Sequence, residues 1–117
     1  MQVDKASDTL KLLNGLGFAM KAGKVRSGEL AAEKTLKSGK AKLVLLDSGA
    51  SAATLSRWSS ACEHASVPLI TVEGVGRAIG REAHMVACVT DNGFAQMLMR
   101  TYKILDPNFG GNLNGKE

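Results

Sequence analysis

The chain has 117 residues, the usual length of one compact domain, and 44% of them are hydrophobic against 22% charged. That balance belongs to a folded protein and excludes a disordered polyelectrolyte. Fifteen Lys and Arg against eleven Asp and Glu leave a formal charge of +4, which favours anionic partners over cationic ones.

Leu10, Leu13, Leu16, Gly17 and Met20 recur at helical spacing, and Gly23 can close the last turn, so a first helix is predicted over residues 5–22. A short basic stretch, Lys24-Val25-Arg26, leads to a second helix. Ser27 is placed to cap it, Glu29 in the first turn suits the helix dipole, Glu33 and Lys37 form an i,i+4 pair, and Ser38-Gly39 ends it. The apolar run Lys42-Leu43-Val44-Leu45-Leu46 before Asp47-Ser48-Gly49 predicts a strand buried on both faces at the centre of a sheet. Ser51 can cap a third helix with Leu55, Trp58, Cys62 and Ala65 on one face. Pro68 marks its end, and Leu69-Ile70-Thr71-Val72 gives another strand. Residues 74–80 leave room for a loop and a short helix only. Met85-Val86-Ala87-Cys88-Val89 is a further buried strand, and Thr90 or Asp91 can cap a last helix carrying Phe94, Met97, Leu98 and Thr101 on one side. Residues 106–117 are rich in Gly and Asn, which predicts a disordered tail behind a single domain spanning residues 1–105. Helices alternating with short apolar strands predict an α/β fold, a three-layer α/β/α sandwich around a small mixed, mostly parallel sheet.

No apolar run approaches the roughly 18 residues of a membrane span, and the opening MQVDKASDTL has neither the basic nor the apolar segment of a secretion signal. A cytoplasmic protein with no membrane partner is expected. Cys62 and Cys88 are far apart, with no CxxC and no clustered histidine, so they read as reduced core residues and no metal is expected. The pattern Gly74-x-Gly76-x-x-x-Gly80 follows a strand and invites a dinucleotide-binding reading. Too few residues separate Val72 from Met85 for a full crossover helix, however, and no acidic residue ends a strand about 20 residues on. A tight turn and a close-packed short helix with Arg77 exposed fit better, and no cofactor is expected.

His64 and His84 lack a partner at a catalytic spacing and read as surface or helix-end residues. Ser27, Ser48 and Ser51 sit where caps belong, outside any GxSxG elbow. Asp47 ends a central strand but has no acid, metal or phosphate loop beside it. A non-enzymatic role is therefore expected. Trp58, Tyr102 and the phenylalanines are scattered, so they build no stacking platform for single strands. The positive charge is concentrated instead: Lys21, Lys24, Arg26, Lys34, Lys37, Lys40 and Lys42 lie within residues 21–42, opposed only by Glu29 and Glu33. Such a surface attracts polyphosphates, although a solvated face kept basic for solubility has the same composition.

The strings Ala22-Gly23-Lys24-Val25-x-Ser27-Gly28-Glu29, then Lys34, Ser38-Gly39-Lys40-Ala41-Lys42-Leu43-Val44-Leu45-Leu46, Val67-Pro68-Leu69 and Gly76-Arg77-Ala78-Ile79-Gly80 occur in an order that resembles the kink-turn-binding ribosomal protein family of the L-seven-A-e and L-thirty-e type. The likeness covers residues 8–103. With Thr90-Asp91-x-Gly93-Phe94-Ala95 it is nearest to the short bacterial YlxQ-type members. The resemblance implies an α/β/α sandwich whose second helix enters the widened groove of a kinked RNA, where polar side chains read sheared G·A pairs and two neighbouring loops hold a bulged nucleotide. By position, Gly28 matches the glycine that opens this helix and Lys34 the lysine that contacts RNA.

Two departures alter that expectation. The Asn-Glu pair that reads base edges in the family falls on Leu30 and Ala31, which have no side-chain donor or acceptor, so base readout should be weakened. The second RNA-contacting loop is about three residues shorter than the family's Ser-Lys-x-Glu-like stretch, passing through Glu73 and Gly74 only. The expected interface comprises Lys24, Arg26, Ser27, Gly28, Glu29, Lys34, Lys37, Gly74, Val75 and Arg77, suited to phosphates more than to bases. The expected partner is structured RNA of ribosomal or other noncoding type, within a ribonucleoprotein. The competing reading is a protein-interaction module on the same fold, with Leu30 and Ala31 in an apolar contact and the lysines merely solubilising.

Overall fold

The computed structural model describes residues 5–110 of the chain. Its helices are α1 (Lys5–Lys21), α2 (Glu29–Lys37), α3 (Ala52–Ala65), α4 (Val75–Ala78) and α5 (Asn92–Leu105), and its strands β1 (Val25–Ser27), β2 (Leu43–Asp47), β3 (Leu69–Val72) and β4 (Val86–Val89).

Strand alternation sorts the side chains into two cores. Leu43 and Leu45 of β2 join Ala87 and Val89 of β4 and Ile70 and Val72 of β3 on one face, under Leu12, Leu16 and Ala19 of α1 and Ala95, Leu98 and Met99 of α5. Val44 and Leu46 join Val86 and Cys88 on the other face, under Ala32 and Leu36 of α2 and Trp58 and Cys62 of α3. The result is the expected three layers, with α1, α4 and α5 on one side of the sheet and α2 and α3 on the other. β2 and β4 are covered on both faces, which is why they read as unbroken apolar runs. Trp58 is enclosed, so Trp58→Ala should cost about 3–5 kcal/mol.

The sheet is mixed, with strand order β1-β4-β2-β3, but it is less parallel than expected. Only β2 and β3 run parallel; β4 is antiparallel to both β1 and β2. The reason lies in the connections. A parallel neighbour needs a crossover of a dozen or more residues, and α3 provides one between β2 and β3. The four-residue α4 cannot, so β4 returns on the other side of β2 in the opposite direction. β1 was not foreseen as a strand: Lys24-Val25-Arg26 supplies one inward residue, Val25, too little for any periodic signal. Because β1 and β2 are both antiparallel to β4, they run the same way and α2 joins them as a crossover split by β4.

Ser51 and Asp91 cap α3 and α5 as expected, accepting from the N–H groups of Thr54 and Phe94. The expected tail falls partly outside the described residues, at 111–117. Residues 106–110 pack back on α5: the Phe109 ring meets Tyr102 edge-on at 5.1 Å, and Lys103 Nζ donates to Phe109 O at 2.7 Å. No helix among the described residues is long and apolar enough to cross a membrane.

Candidate nucleic-acid interface

The β1–β4 ladder sets Ser27 opposite Ala87. Gly28 extends it by donating its N–H to Val86 O at 2.9 Å, then turns the chain into α2 with φ 89° and ψ 154°. Only glycine occupies that region without strain. Gly28 also lies against the His84 imidazole, since a Cβ at this position would stand 3.2 Å from His84 Cε1. Ser27 Oγ and His84 Nδ1 are 2.8 Å apart and hydrogen-bonded.

The expected role of Ser27 is corrected by this geometry. Ser27 ends β1 with its hydroxyl engaged by His84, Gly28 takes the N-cap position, and no side chain caps α2. The first-turn N–H groups, which have no acceptor within their own helix, carry the positive end of the helix dipole. Leu30 projects from that turn at 84% exposure.

Two other segments are tied to the same end of the sheet. Asp47, at the end of β2, donates its backbone N–H to Met85 O at 2.7 Å. Its Oδ1 accepts from the Gly49 N–H at 2.8 Å, and its Oδ2 accepts from the N–H groups of Gly74 and Val75 at 3.0 and 3.1 Å. The turn after β2, the loop before α4 and the loop before β4 therefore converge beside the start of α2. The glycines before β4 serve packing: a Cβ on Gly76 would lie 2.7 Å from the carbonyl oxygens of both Arg81 and His84. Among the described residues no group of three or more His, Cys, Asp and Glu could hold a metal.

The expected site residues divide. Gly28, Ser27 and the exposed Lys34 and Arg77 belong to this end of the molecule or to the helices that open onto it. Gly74 and Val75 stand there too, but their N–H groups are committed to Asp47 and the Val75 side chain is 0% exposed, so neither offers the donor or side-chain surface expected of it. Glu29 turns toward α3, where its Oε1 accepts from Arg57 Nη2 and from Trp58 Nε1. The Arg57 hydrogen bond, outweighing the opposite effect of burial and assisted by Trp58, holds its carboxyl below the usual carboxylate range. Lys37 lies in the last turn of α2 and pairs with Glu33 at 3.1 Å.

Lys24 and Arg26 are not gathered with Gly28. Arg26 Nη1 donates back to the carbonyls of Gly23 and Val25. The Lys24 carbonyl accepts from Thr90 N, while Lys42 N donates to Val89 O, so Lys24 and Lys42 flank the far end of β4. Residues close in sequence thus feed opposite ends of the sheet. Sequence reasoning also missed His84 as a partner of Ser27. The signal that could have found it was the β1–β4 pairing, which the brevity of β1 concealed.

A family model, "Ribosomal protein L7Ae/L30e/S12e/Gadd45 family", matches residues 10–99. The chain belongs to this family. The matched segment begins within α1 and ends within α5, so it includes every element that builds the end of the sheet just described. The chain is 44% identical over 87 residues to the RNA-binding protein YlxQ of Bacillus subtilis (strain 168), covering 72% of this chain and 87% of that protein. Among solved structures it is similar to a protein of unknown function from Bacillus halodurans C, with 32% identity and a TM-score of 0.73 over 78% of this chain and 95% of that one. A Giardia lamblia 15.5kD RNA binding protein shares the fold, with a TM-score of 0.67 over 84% of this chain and 90% of that one at 23% identity.

Proposed function

We propose that this family member is a non-enzymatic RNA-binding protein that receives structured RNA at the start of α2 and holds it by phosphate contact and shape more than by base readout. The observation that carries the reading is the opening of α2 at Gly28 without a side-chain cap. Its first-turn N–H groups suit a phosphate oxygen, and the exposed Lys34 on the same helix adds charge. Arg77 lies on α4, whose preceding loop Asp47 fixes beside the site. The name of the Bacillus subtilis relative supports RNA as the polyanion. Leu30 and Ala31 present no polar group to base edges, so shape carries what selectivity there is. A kinked helix within ribosomal or other noncoding RNA, assembled in a cytoplasmic ribonucleoprotein, is the partner this reading favours.

The test is a titration with kink-turn RNA and an unkinked duplex at several salt concentrations, repeated with Lys34→Ala and Lys37→Ala combined. Both affinities should fall and the salt slope should flatten by about 1–2 units. The kinked RNA should bind more tightly than the duplex. Absence of binding to either RNA at low salt would overturn the reading and leave the exposed Leu30 as the mark of a protein contact.

A further inference from the structure

The outer surface of α1 carries Leu10, Asn14 and Phe18 in one line, with Leu10 59% and Phe18 61% exposed. Isolated exposed apolar residues are ordinary. These two instead border a continuous cleft of about 470 Å³ between α1 and α5, whose opposite wall includes Met97 at 38% exposure. Gly15 shapes its floor: a Cβ there would stand 2.9 Å from Leu98 Cδ2 and 3.1 Å from Met97 Cε, so glycine lets the α5 side chains reach the backbone of α1. Lys11 is the one charged residue among the described residues lining the cleft. Arg100 is exposed one turn along α5 from Met97.

We infer that the α1–α5 cleft, lined by Leu10, Phe18 and Met97 beside Lys11, is a docking site for an acidic amphipathic helix of a partner protein. A helix laid along such a groove presents apolar anchors at i, i+3 or i+4 and i+7, matching the one-turn spacing of Leu10, Asn14 and Phe18. Charge selects the occupant. A two-fold contact with a second copy would set the Lys11 and Arg100 patch against its own image, which like-charge repulsion disfavours. Carboxylates flanking the apolar stripe of a foreign helix would meet these same cations favourably. Nucleic acid would place phosphates against an apolar wall that contributes a single aromatic ring, too little for a stacking track. The cleft lies across the sheet from α2, so both surfaces can be occupied together and the protein can join an RNA to a second protein.

The experiment titrates the full-length, isotope-labelled chain with two synthetic helical peptides of roughly 18 residues, about five turns. Both carry the same leucine stripe, one flanked by Glu and the other by Lys. The acidic peptide should shift the amide signals of Leu10, Lys11, Phe18 and Met97 and bind at least about tenfold more tightly than the basic one. Leu10→Ser combined with Phe18→Ser should weaken that binding at least about tenfold, while kink-turn RNA affinity and the thermal midpoint stay unchanged. Equal binding of the two peptides, or no shift with either, would overturn the proposal. So would displacement of the acidic peptide by RNA, or a concentration-dependent dimer abolished by the double substitution. The unchanged RNA affinity of the double variant separates a failure here from a failure of the RNA reading.

Discussion

Ser27 and His84 stand 57 positions apart in the chain and share a 2.8 Å hydrogen bond between Oγ and Nδ1. The bond links the last residue of β1 to the loop before β4 and fixes the imidazole against Gly28. Ser27→Ala and His84→Ala should each lower stability by about 0.5–1.5 kcal/mol, the net worth of one such bond. Because both remove the same interaction, the double variant should lose less than the sum of the two. Urea denaturation of the four proteins checks this, and strict additivity would show that the bond contributes nothing.

Gly28→Ala should be the most damaging small substitution at the RNA-facing end. It forces a side chain into φ 89°, ψ 154°, and drives its Cβ to 3.2 Å from His84 Cε1. The backbone strain alone is worth about 1–3 kcal/mol. Denaturant unfolding should show that loss, and RNA affinity measured where the variant remains folded should fall with it because the first turn of α2 shifts.

Asp47→Ala removes the acceptor shared by the Gly74 and Val75 amides. Those two N–H groups should exchange with solvent faster, and stability should drop by about 1.5–3 kcal/mol, the range for hydrogen bonds to a charged group. Amide exchange read residue by residue separates this local release from global unfolding. If Gly74 and Val75 keep their protection, the carboxylate is not what holds the loop.

Burial pushes the Cys62 thiol up to about 11 and the Cys88 thiol up to about 12, the latter raised further by its neighbour Cys62. Neither should react with iodoacetamide in the folded protein at pH 8, since the thiolate is the nucleophile. Both should react once denaturant is added. In the unfolded chain the thiols ionise at their ordinary value of about 8.5, so above it the unfolded state binds fewer protons than the folded one. The contribution of the buried thiols to stability should be complete below that value and decline as the pH rises through 9 toward 11 and 12. Replacing both by Ala should remove this alkaline slope from the unfolding profile.

The layers were legible from the chain because β2, β4 and the helix faces carry strong periodic patterns, as Leu43 to Leu46 and the Leu12, Leu16, Ala19 stripe illustrate. Strand direction was not. It depends on what a connection can span, and the shortness of α4 outweighed the alternation of helix and strand. The site was half legible. Gly28 stood out through its place before a basic helix, whereas charge along the sequence suggested one continuous basic face. A strand separates its two ends by roughly 3.3 Å per residue, so Lys24 and Ser27 finish at opposite ends of β1. Glu29 suited the helix dipole on paper, but Arg57 and Trp58 lie within its reach only after α3 has packed beside α2.

β4 is the last strand in the sequence, yet it lies between β1 and β2. Until residues 86–89 emerge from the synthesising ribosome, β1 has no partner to pair with and the two cores lack the strand they share. Gly28 has no Val86 carbonyl to anchor it and Ser27 no imidazole to bond. The first quarter of the chain, which carries the basic helix, must wait for the last to become a binding surface. A nascent or truncated product lacking β4 would expose the same lysines on an unshaped backbone, with charge enough to meet RNA and no geometry with which to select it.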